Sequence, residues 1–264
     1  MIHIDGLSKY FNRGDINEVL ALNAIDLTIQ QGDFITIIGS NGAGKSTFLN
    51  CLAGTHLADS GRLRLNGQEI SQWPEHRRAR LMGRVFQNPL TGTCASLSIE
   101  QNLALAVKRG STRGLRIGVK ARDRELFRKR LAIIGLGLES RLKAGVGLLS
   151  GGQRQALTMV MATLVQPQVL LLDEHTAALD PKTAAQILDL TRKIVSQQQL
   201  TTLMVTHNMK HALTFGNRLI MMHCGRIILD VRDQEKARLT VQDLLERFYD
   251  LRAEGEVSDR MLLV

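Results

Sequence analysis

The first residues with an evident chemical use form a glycine-rich segment between the apolar run Phe34–Ile38 and a helical pattern. Glycines let successive backbone N–H groups converge on one anion, and the following helix adds its positive N-terminal end. Lys45 supplies a charge for outer phosphates, and Ser46 offers a hydroxyl to Mg²⁺. An ordinary strand-to-helix turn is the alternative. The segment predicts a nucleotide-phosphate site made of Gly39, Ser40, Asn41, Gly42, Ala43, Gly44, Lys45, Ser46 and Thr47.

Two adjacent carboxylates follow the apolar run Val169–Leu172. This run is typical of a buried parallel strand, and ligands bind at the C-terminal ends of such strands. Asp173 suits Mg²⁺ coordination through water, and Glu174 suits a general base that polarises the attacking water. An acidic pair that caps the next helix is the alternative.

A second glycine-rich helix start occurs at Ser150, Gly151, Gly152 and Gln153. Ser150 is a good N-cap, and the two glycines leave N–H groups open to another phosphate. Glycines also cap helices for purely structural reasons. The pattern therefore indicates a second anion site or a structural helix cap.

The net charge of +9 is concentrated in one part of the 264-residue chain. Residues 108–130 carry ten basic and two acidic residues, so this segment alone contributes eight net positive charges. Such a cluster indicates a basic surface that faces an anionic partner, or else a solvated helix face. Few aromatic residues interleave it, which disfavours a stacking platform for single-stranded nucleic acid.

The remaining composition is ordinary for a globular protein, and no apolar run approaches the roughly 20 residues that span a bilayer. The N-terminal residues lack the order of a signal peptide, so we expect a cytoplasmic chain. Cys51, Cys94 and Cys224 are widely spaced and include no CxxC, which argues against a disulfide framework or a zinc site. We expect Cys51 and Cys224 to be small buried residues.

Periodicity predicts an α/β chain. An Asn-Gly turn is expected at Asn66-Gly67 and a helical pattern from Ser98 to Pro167. The predicted strands are Ile2–Ile4, Val19–Leu22, Ile25–Ile29, Phe34–Ile38, 61–67, a short strand ending at Phe86, Val169–Leu172, Thr202–Thr206, Arg218–Met222 and Gly225–Leu229. The other predicted helices are Pro74–Met82, Pro181–Ser196, Met209–Phe215 and Val241–Leu251.

Taken in order, these motifs resemble the full motif set of ABC transporter ATPase subunits. They are the segment 39–47, Gln87 after a strand, Leu149–Gln153, Leu170–Glu174, Ala178–Asp180 and His207 after a strand. The resemblance implies a P-loop NTPase core of ABC ATPase type, with an antiparallel β layer and an inserted helical subdomain. The implied domains are 1–87 and 167–235 for the ATP-binding core, 88–166 for the helical signature subdomain, and 236–264 for a C-terminal helical extension.

The resemblance also implies a role for each motif residue. Phe11 would stack on adenine, with Tyr10 as the alternative, and either ring can instead pack structurally. Lys45, Glu174 and His207 would be catalytic, His207 as the γ-phosphate sensor. ATP would contact Phe11 and residues 39–47; Mg²⁺ would contact Ser46, Gln87 and Asp173; and the ATP of a partner subunit would contact Ser150, Gly151, Gly152, Gln153 and Asp180. Asp180 would also serve as a helix N-cap.

One departure from the family pattern is His175, which stands where many members have proline after the catalytic glutamate. With the loop at Gly92-Thr93 and the basic residues around Arg113 and Arg116, it resembles ATPase subunits of bacterial tryptophan/tyrosine-type uptake systems. We expect His175 to cap a helix or lie at the surface, and an effect on the pH dependence of hydrolysis is the alternative.

The resemblance implies an ATP-hydrolysing subunit of a bacterial ABC transporter, an importer of an amino-acid-like small molecule. It implies a head-to-tail homodimer, integral-membrane permease subunits, a separate substrate-binding protein and no specific nucleic acid. Such a chain is peripheral on the inner face of the cell membrane. An exporter or lipoprotein-release ATPase is the alternative, followed by a soluble ABC ATPase that acts on ribosomes or DNA.

Overall fold

The computed structural model describes residues 1–111 and 118–253, the last four of these through their backbone alone. The chain divides into two compact units. The first combines Met1–Arg78 with the chain from Thr201 onward, and the second is Ala79–Leu200. The domain boundaries predicted from the sequence stay a prediction.

An antiparallel sheet occupies the first part of unit one. Its strands are β1 (Ile2–Phe11), β2 (Val19–Ile29), β4 (Ser60–Leu65) and β5 (Gln68–Glu69), in the spatial order β2-β1-β4-β5. The inward face of β1 and β2 is apolar, and Ile2, Leu22 and Ile29 are fully buried. The predicted Asn66-Gly67 turn joins β4 to β5, with φ of 50° and 81°. Both values are positive, as in the type I′ hairpin turns that favour Asn-Gly.

A mixed sheet forms the rest of the strand structure of unit one. Strand β3 (Phe34–Gly39) lies parallel to β8 (Thr201–Val205) and to β9 (Arg218–His223), and β9 pairs antiparallel with β10 (Arg226–Arg232). Ile35, Ile37 and Ile38 are at most 1% exposed. A central parallel strand buried on both faces explains this continuous apolar run.

The helices of unit one pack on these sheets. They are α1 (Lys45–Ala53), α2 (Glu75–Arg78), α7 (Met209–Thr214), α8 (Asp233–Arg238) and α9 (Val241–Ala253). Leu244 and Phe248 anchor α9 to a buried cluster that includes Ile38 and Met221. The closing helix predicted for residues 241–251 is therefore present and is buried along one face.

Unit two is mainly helical. Its helices are α3 (Ile99–Val107), α4 (Ala121–Ala132), α5 (Gly151–Thr163) and α6 (Pro181–Gln198), with 3₁₀ turns at Leu138–Ser140 and Val146–Leu148. Strands β6 (Met82–Val85) and β7 (Val169–Asp173) pair in parallel. Buried side chains of α3, α4 and α5 share one core, in which Leu103, Phe127 and Leu157 are at most 1% exposed.

Two predicted elements differ from the observed ones. The helix predicted for Pro74–Met82 is limited to Glu75–Arg78. The carbonyl oxygen of Leu81 instead accepts hydrogen bonds at the start of β7, and Met82 begins the strand that pairs in parallel with β7. The two strands predicted at Val19–Leu22 and Ile25–Ile29 are one strand with a bulge. Ala24 has φ of 47° there, and its N–H donates to Ser8 Oγ at 3.0 Å.

Further differences concern helix α8, the interval Ser98–Pro167 and Cys224. The sequence analysis missed α8. In the described residues 98–111 and 118–167, the predicted helical pattern is divided among three helices and two 3₁₀ turns. Cys51 is buried as expected, but Cys224 is exposed because it occupies the turn between β9 and β10, with φ of 44°. None of the helices described is long and apolar enough to span a bilayer.

Candidate functional site

The phosphate loop, residues 39–47, joins the end of β3 to the start of α1 in unit one. Gly44 precedes the helix with φ of 95°, and a Cβ there would lie 2.5 Å from the carbonyl oxygen of Ala21. A Cβ at Gly39 would lie 2.3 Å from the carbonyl oxygen of Met222. Only glycine fits at these two positions, because the backbones of β2 and β9 approach the loop so closely.

The Lys45 ammonium lies against the backbone of the phosphate loop. Lys45 is 5% exposed, and its Nζ donates to the carbonyl oxygens of Gly39 at 2.7 Å and Ser40 at 2.9 Å. Ser46 follows in the first turn of α1 and is exposed. A fixed cation, an exposed hydroxyl and a helix N-terminus together form a site suited to an anion.

Two further predicted residues, His207 and Phe11, belong to unit one. His207 is exposed in the loop after β8. That loop is held to β3, since the N–H of Thr206 donates to the carbonyl oxygen of Ile37 at 3.1 Å. The Phe11 ring is half-buried at the end of β1 and meets the His56 ring edge-on, with centroids 5.3 Å apart. One face of the alternative, Tyr10, is covered by Arg13 at 5.0 Å.

The structure brings Gln87 and Glu174 together in unit two. Gln87 follows β6 and Glu174 follows β7, and Gln87 Nε2 donates to Glu174 Oε2 at 3.2 Å. Glu174 adopts φ of 45°, a left-handed conformation that side chains other than glycine rarely take. Strained backbone of this kind persists only where the surroundings enforce it, and it concentrates at functional positions.

Asp173 has a cationic neighbour that the sequence reading missed. Arg84 Nη2 lies 3.4 Å from Asp173 Oδ2, and both side chains are mostly buried. The Arg84 guanidinium also lies over the Phe86 ring, 4.5 Å from its centroid. The parallel register of β6 and β7 places Arg84 opposite Leu171. Only knowledge of that register would have indicated this contact.

The glycine-rich start of α5 is fixed by a capping box. The N–H of Gln153 donates to Ser150 Oγ, and the Gln153 side-chain oxygen accepts from the N–H of Ser150, both at 3.2 Å. The predicted N-cap role of Ser150 is thus observed. A Cβ on Gly152 would lie 2.1 Å from the Thr183 methyl group, so Gly152 also allows α5 to pack closely on α6.

Asp180 caps helix α6, as the structural alternative predicted. Its Oδ1 accepts a hydrogen bond from the N–H of Thr183 at 3.1 Å, and Pro181 occupies the first helical turn. Hydrogen bonds from Thr183 lower the pKa of the Asp180 carboxyl, because they stabilise its charged form. Asp180 is exposed, and its predicted role towards a partner subunit stays a prediction.

The structure contradicts the expectation that His175 caps a helix or lies at the surface. His175 is 2% exposed, and its Nε2 lies 3.1 Å from Thr191 Oγ1 on α6. Gln155 was also missed. It is buried, and its Nε2 donates to the carbonyl oxygen of Phe86 at 3.2 Å, directly before Gln87. Gln155 lies three residues after Gly152 and four before Met159, on the buried face of α5. This helical spacing could have predicted its burial.

The parallel strands, the phosphate loop and the adjacent carboxylates after β7 define a phosphate-loop nucleoside triphosphatase. A sequence model described as ABC transporter matches residues 22–177, more than half of the chain. The chain therefore belongs to the ABC transporter family. It is an ATP-binding, ATP-hydrolysing subunit of such a transporter.

Individual relatives agree with this assignment. The chain is 46% identical over 250 residues to a tyrosine transport ATP-binding protein of Clostridioides difficile, covering 94% of this chain and 98% of that one. It is 32% identical over 231 residues to a phosphonates import ATP-binding protein of Frankia casuarinae, covering 87% and 89%.

Solved structures confirm the predicted fold class. A dimeric ATP-binding cassette in a post-hydrolysis state, bound to ADP and Pi, superposes with a TM-score of 0.75 at 26% identity. The match covers 88% of this chain and 98% of that structure. The antiparallel layer and the phosphate-loop core therefore form an ABC-type cassette.

Proposed function

We propose that this chain drives the import of an amino-acid-like small molecule, acting as a head-to-tail homodimer beneath a pair of integral-membrane permease subunits. The single observation that carries this proposal is the 46% identity to a tyrosine transport ATP-binding protein across nearly the full length of both chains. The phosphonates import relative supports the inward direction. A separate substrate-binding protein would deliver the molecule, and the complex would hold this chain at the inner face of the cell membrane.

The proposed dimer gives the two glycine-rich helix starts one common ligand. The phosphate loop of one copy would hold the phosphates of ATP, and residues 150–153 and Asp180 of the other copy would close over them. Ser150 and Gly151 are exposed at the start of α5, which supports contact with a partner. The related cassette of known structure is dimeric, which also favours this arrangement. Closure on ATP and opening after hydrolysis would then move the permease subunits.

The proposed nucleotide contacts follow the residue types. Residues 39–47 would hold the phosphates, with Lys45 as the catalytic cation, and Phe11 would stack on adenine. Ser46, Gln87 and Asp173 would hold Mg²⁺, directly or through water. Their oxygen donors fit an ion that takes the rest of its ligands from phosphate and water. When bound, Mg²⁺ supplies positive charge that stabilises the transferring phosphoryl group.

The proposed hydrolysis assigns one task to each remaining polar residue. Glu174 would orient the attacking water and accept its proton as a general base. The Gln87 amide contacts the Glu174 carboxylate at 3.2 Å, which supports a role for Gln87 beside the proposed base. His207 would contact the γ-phosphate, since its side chain is exposed in a loop held to the phosphate-loop strand.

The replacement Glu174→Gln tests this proposal. The amide cannot accept a proton, so we expect turnover to fall by about 100-fold or more while ATP binding is retained. Size-exclusion chromatography should then show an ATP-dependent dimer, and cells that carry the variant should lose uptake of labelled tyrosine.

Asp189→Asn is a matched control, because it makes the same carboxylate-to-amide change on the exposed face of α6. It should leave turnover and dimerisation unchanged. Near-normal hydrolysis by Glu174→Gln would remove Glu174 from the general-base role. Normal tyrosine uptake in cells that lack the chain would reject the proposed import of this class of molecule.

A further inference from the structure

A buried imidazole lies directly after the proposed general base. His175 follows Glu174 in the chain, and its side chain turns inward to contact α6. Buried polar groups are retained in folded proteins when they have hydrogen-bond partners, and Thr191 is a partner here. Thr191 is itself fully buried. The contact therefore joins the loop after β7 to the middle of α6, and the two residues are sixteen positions apart in the chain.

The direction of this hydrogen bond follows from the second contact of the Thr191 hydroxyl. Thr191 Oγ1 lies 2.8 Å from the carbonyl oxygen of Ile187, one turn earlier in α6. A carbonyl oxygen cannot donate, so the single hydroxyl hydrogen must point to Ile187. Thr191 Oγ1 can then only accept from His175, and the hydrogen between them is carried by His175 Nε2.

This hydrogen bond holds His175 in place, and His175 directly follows Glu174, whose backbone is strained. Left-handed backbone is unfavourable for a residue other than glycine, so the φ of 45° at Glu174 needs support from its surroundings. On one side β7 fixes the chain up to Asp173. On the other side the His175 imidazole is held by Thr191.

Histidine suits position 175 better than proline, the residue that many members of the family have there. Proline biases the residue before it towards extended backbone, and it carries no side-chain donor. Histidine imposes no such bias on Glu174, and it adds an N–H that reaches α6. The chemistry of residue 175 is therefore matched to the observed conformation of residue 174.

We propose that His175 is a positioning residue, which through Thr191 holds Glu174 in its left-handed conformation with its carboxylate beside Gln87. This proposal rests on the proposed role of Glu174 as general base. His175 itself acts only through the geometry of its neighbour. The hydrogen bond to α6 thus contributes to turnover without contributing to nucleotide binding.

Two matched pairs of variants of the full-length chain test the proposal with Mg²⁺ and ATP. Thr191→Val removes the hydroxyl at constant size, and Thr191→Ser keeps it. His175→Gln keeps an N–H at the same number of bonds from the backbone as Nε2, and His175→Asn carries an amide that is too short to reach. Each pair contrasts a side chain that can form the hydrogen bond with one that cannot, and the KM for ATP reports separately whether the nucleotide site is intact.

We expect Thr191→Val and His175→Asn to lower kcat by about tenfold, which corresponds to losing the contribution of one hydrogen bond from the barrier. Their KM for ATP should stay within about twofold of wild type, because binding contacts are unchanged. Thr191→Ser and His175→Gln should recover most of kcat. The double variant Thr191→Val/His175→Asn should be no slower than either single variant.

A spectroscopic measurement reports the hydrogen bond apart from activity. With ¹⁵N-labelled histidine, wild type should show an imidazole Nε2–H signal of His175 that exchanges slowly with water. This signal should be absent in His175→Gln and lost or strongly shifted in Thr191→Val. Equal kcat for Thr191→Val and Thr191→Ser, or a signal unaffected by Thr191→Val, would overturn the proposal.

The same assays separate this proposal from the proposed function. If Glu174→Gln hydrolyses ATP at the wild-type rate, the general-base role fails, and the positioning role fails with it. If Glu174→Gln is inactive but both members of each pair turn over equally, only the positioning role fails. Should His175→Asn not fold, the Thr191 pair and the signal of wild-type His175 still decide the outcome.

Discussion

Gly152 shows at the scale of one residue how packing and chemistry share a position. A Cβ at Gly152 would lie 2.1 Å from the Thr183 methyl group on α6, so the absence of a side chain is a packing requirement. A contact with the phosphates of ATP held by a partner subunit is the second role that we propose for this glycine. The glycine pattern predicted the second function together with a structural alternative, and the contact with Thr183 gives that alternative a physical cause.

The variant Gly152→Ala separates these two roles. We expect it to lower the free energy of unfolding by about 1–3 kcal/mol, because the new methyl group overpacks the contact between α5 and α6. Adding Thr183→Ser removes the opposing methyl group and should restore most of the stability in urea unfolding. Recovered stability with turnover still low supports a direct phosphate role, whereas stability that Thr183→Ser does not restore would contradict the steric explanation.

The sequence predicted the motif residues as a linear pattern, but it did not predict which of them touch. Gln87 and Glu174 were separate predictions, and their hydrogen bond follows from the pairing of β6 with β7. The burial of His175 was predicted wrongly, because its partner Thr191 lies sixteen residues away on α6. Contacts of this kind depend on helix placement, which local spacing does not determine.

At the scale of elements, helix α1 is bounded by polar groups at both ends. The phosphate loop begins the helix, and the Arg78 guanidinium meets its last carbonyl groups. Arg78 Nη1 donates to Cys51 at 2.6 Å and Leu52 at 3.0 Å, and Nε donates to Trp73 at 2.8 Å. A cation is favourable at a helix C-terminus, although burial lowers the pKa of Arg78 to about 10.

Arg78→Met should therefore destabilise the fold strongly. It leaves buried carbonyl groups without donors, and we expect a loss of about 3 kcal/mol or more in the free energy of unfolding. Arg77→Met is the matched control in the same short helix, since Arg77 is exposed and its guanidinium stacks on the Trp73 ring at 3.8 Å. Its cost should be below about 1 kcal/mol. Similar denaturation midpoints for the two variants would refute the capping role.

Helix α8 carries a buried cation that makes stability depend on pH. Lys236 Nζ donates to the carbonyl oxygens of Phe215 and Gly216 and to Thr36 Oγ1, and burial lowers its pKa from 10.5 to about 8. Between about pH 8 and 10.5 the unfolded chain therefore binds more protons at this residue than the folded chain. The contribution of Lys236 to stability must rise with pH across that range.

The comparison with Lys236→Met isolates this contribution from other titrating groups. The free energy of unfolding of wild type, minus that of the variant, should increase by roughly 3 kcal/mol from about pH 8 to about pH 10.5. Below about pH 8 the difference should be constant, because Lys236 is then protonated in both states. Urea unfolding at a series of pH values measures it. A difference that falls as pH rises would show that Lys236 gains rather than loses proton affinity on folding.

The sequence did not predict helix α8. Its sequence, Asp233–Arg238, has a single apolar residue, Ala237, so no hydrophobic period indicates a helix. Long amphipathic elements such as α6 and α9 were predicted to within about two residues, because their apolar stripes repeat over several turns. Short helices and bulged strands depend on tertiary contacts, such as that of Ser8 with Ala24.

At the scale of the whole molecule, the basic residues of the segment 108–130 differ in exposure and in their contacts. Arg124 forms a two-point ion pair with Glu100, at 2.7 and 3.2 Å, and this hydrogen bonding lowers the pKa of Glu100. Arg109 is half-buried and donates to the carbonyl oxygen of Ala162. Arg113 and Arg116 lie outside the described residues. The described basic residues of 108–130 thus include structural ones as well as exposed ones.

Arg122 and Lys129 are exposed members of this segment, with 81% and 73% of their side chains accessible. If the segment faces a membrane or an acidic permease loop, Arg122→Glu/Lys129→Glu should reduce recovery of the chain with membranes several-fold, since each basic residue near an anionic surface contributes about 1 kcal/mol. The matched control is Arg192→Glu/Lys193→Glu on α6, which makes the same change in net charge at exposed positions. We expect the control to retain membrane recovery and both variants to retain basal ATP hydrolysis. Equal recovery of the two variants would indicate that the exposed face of α4 is only solvated.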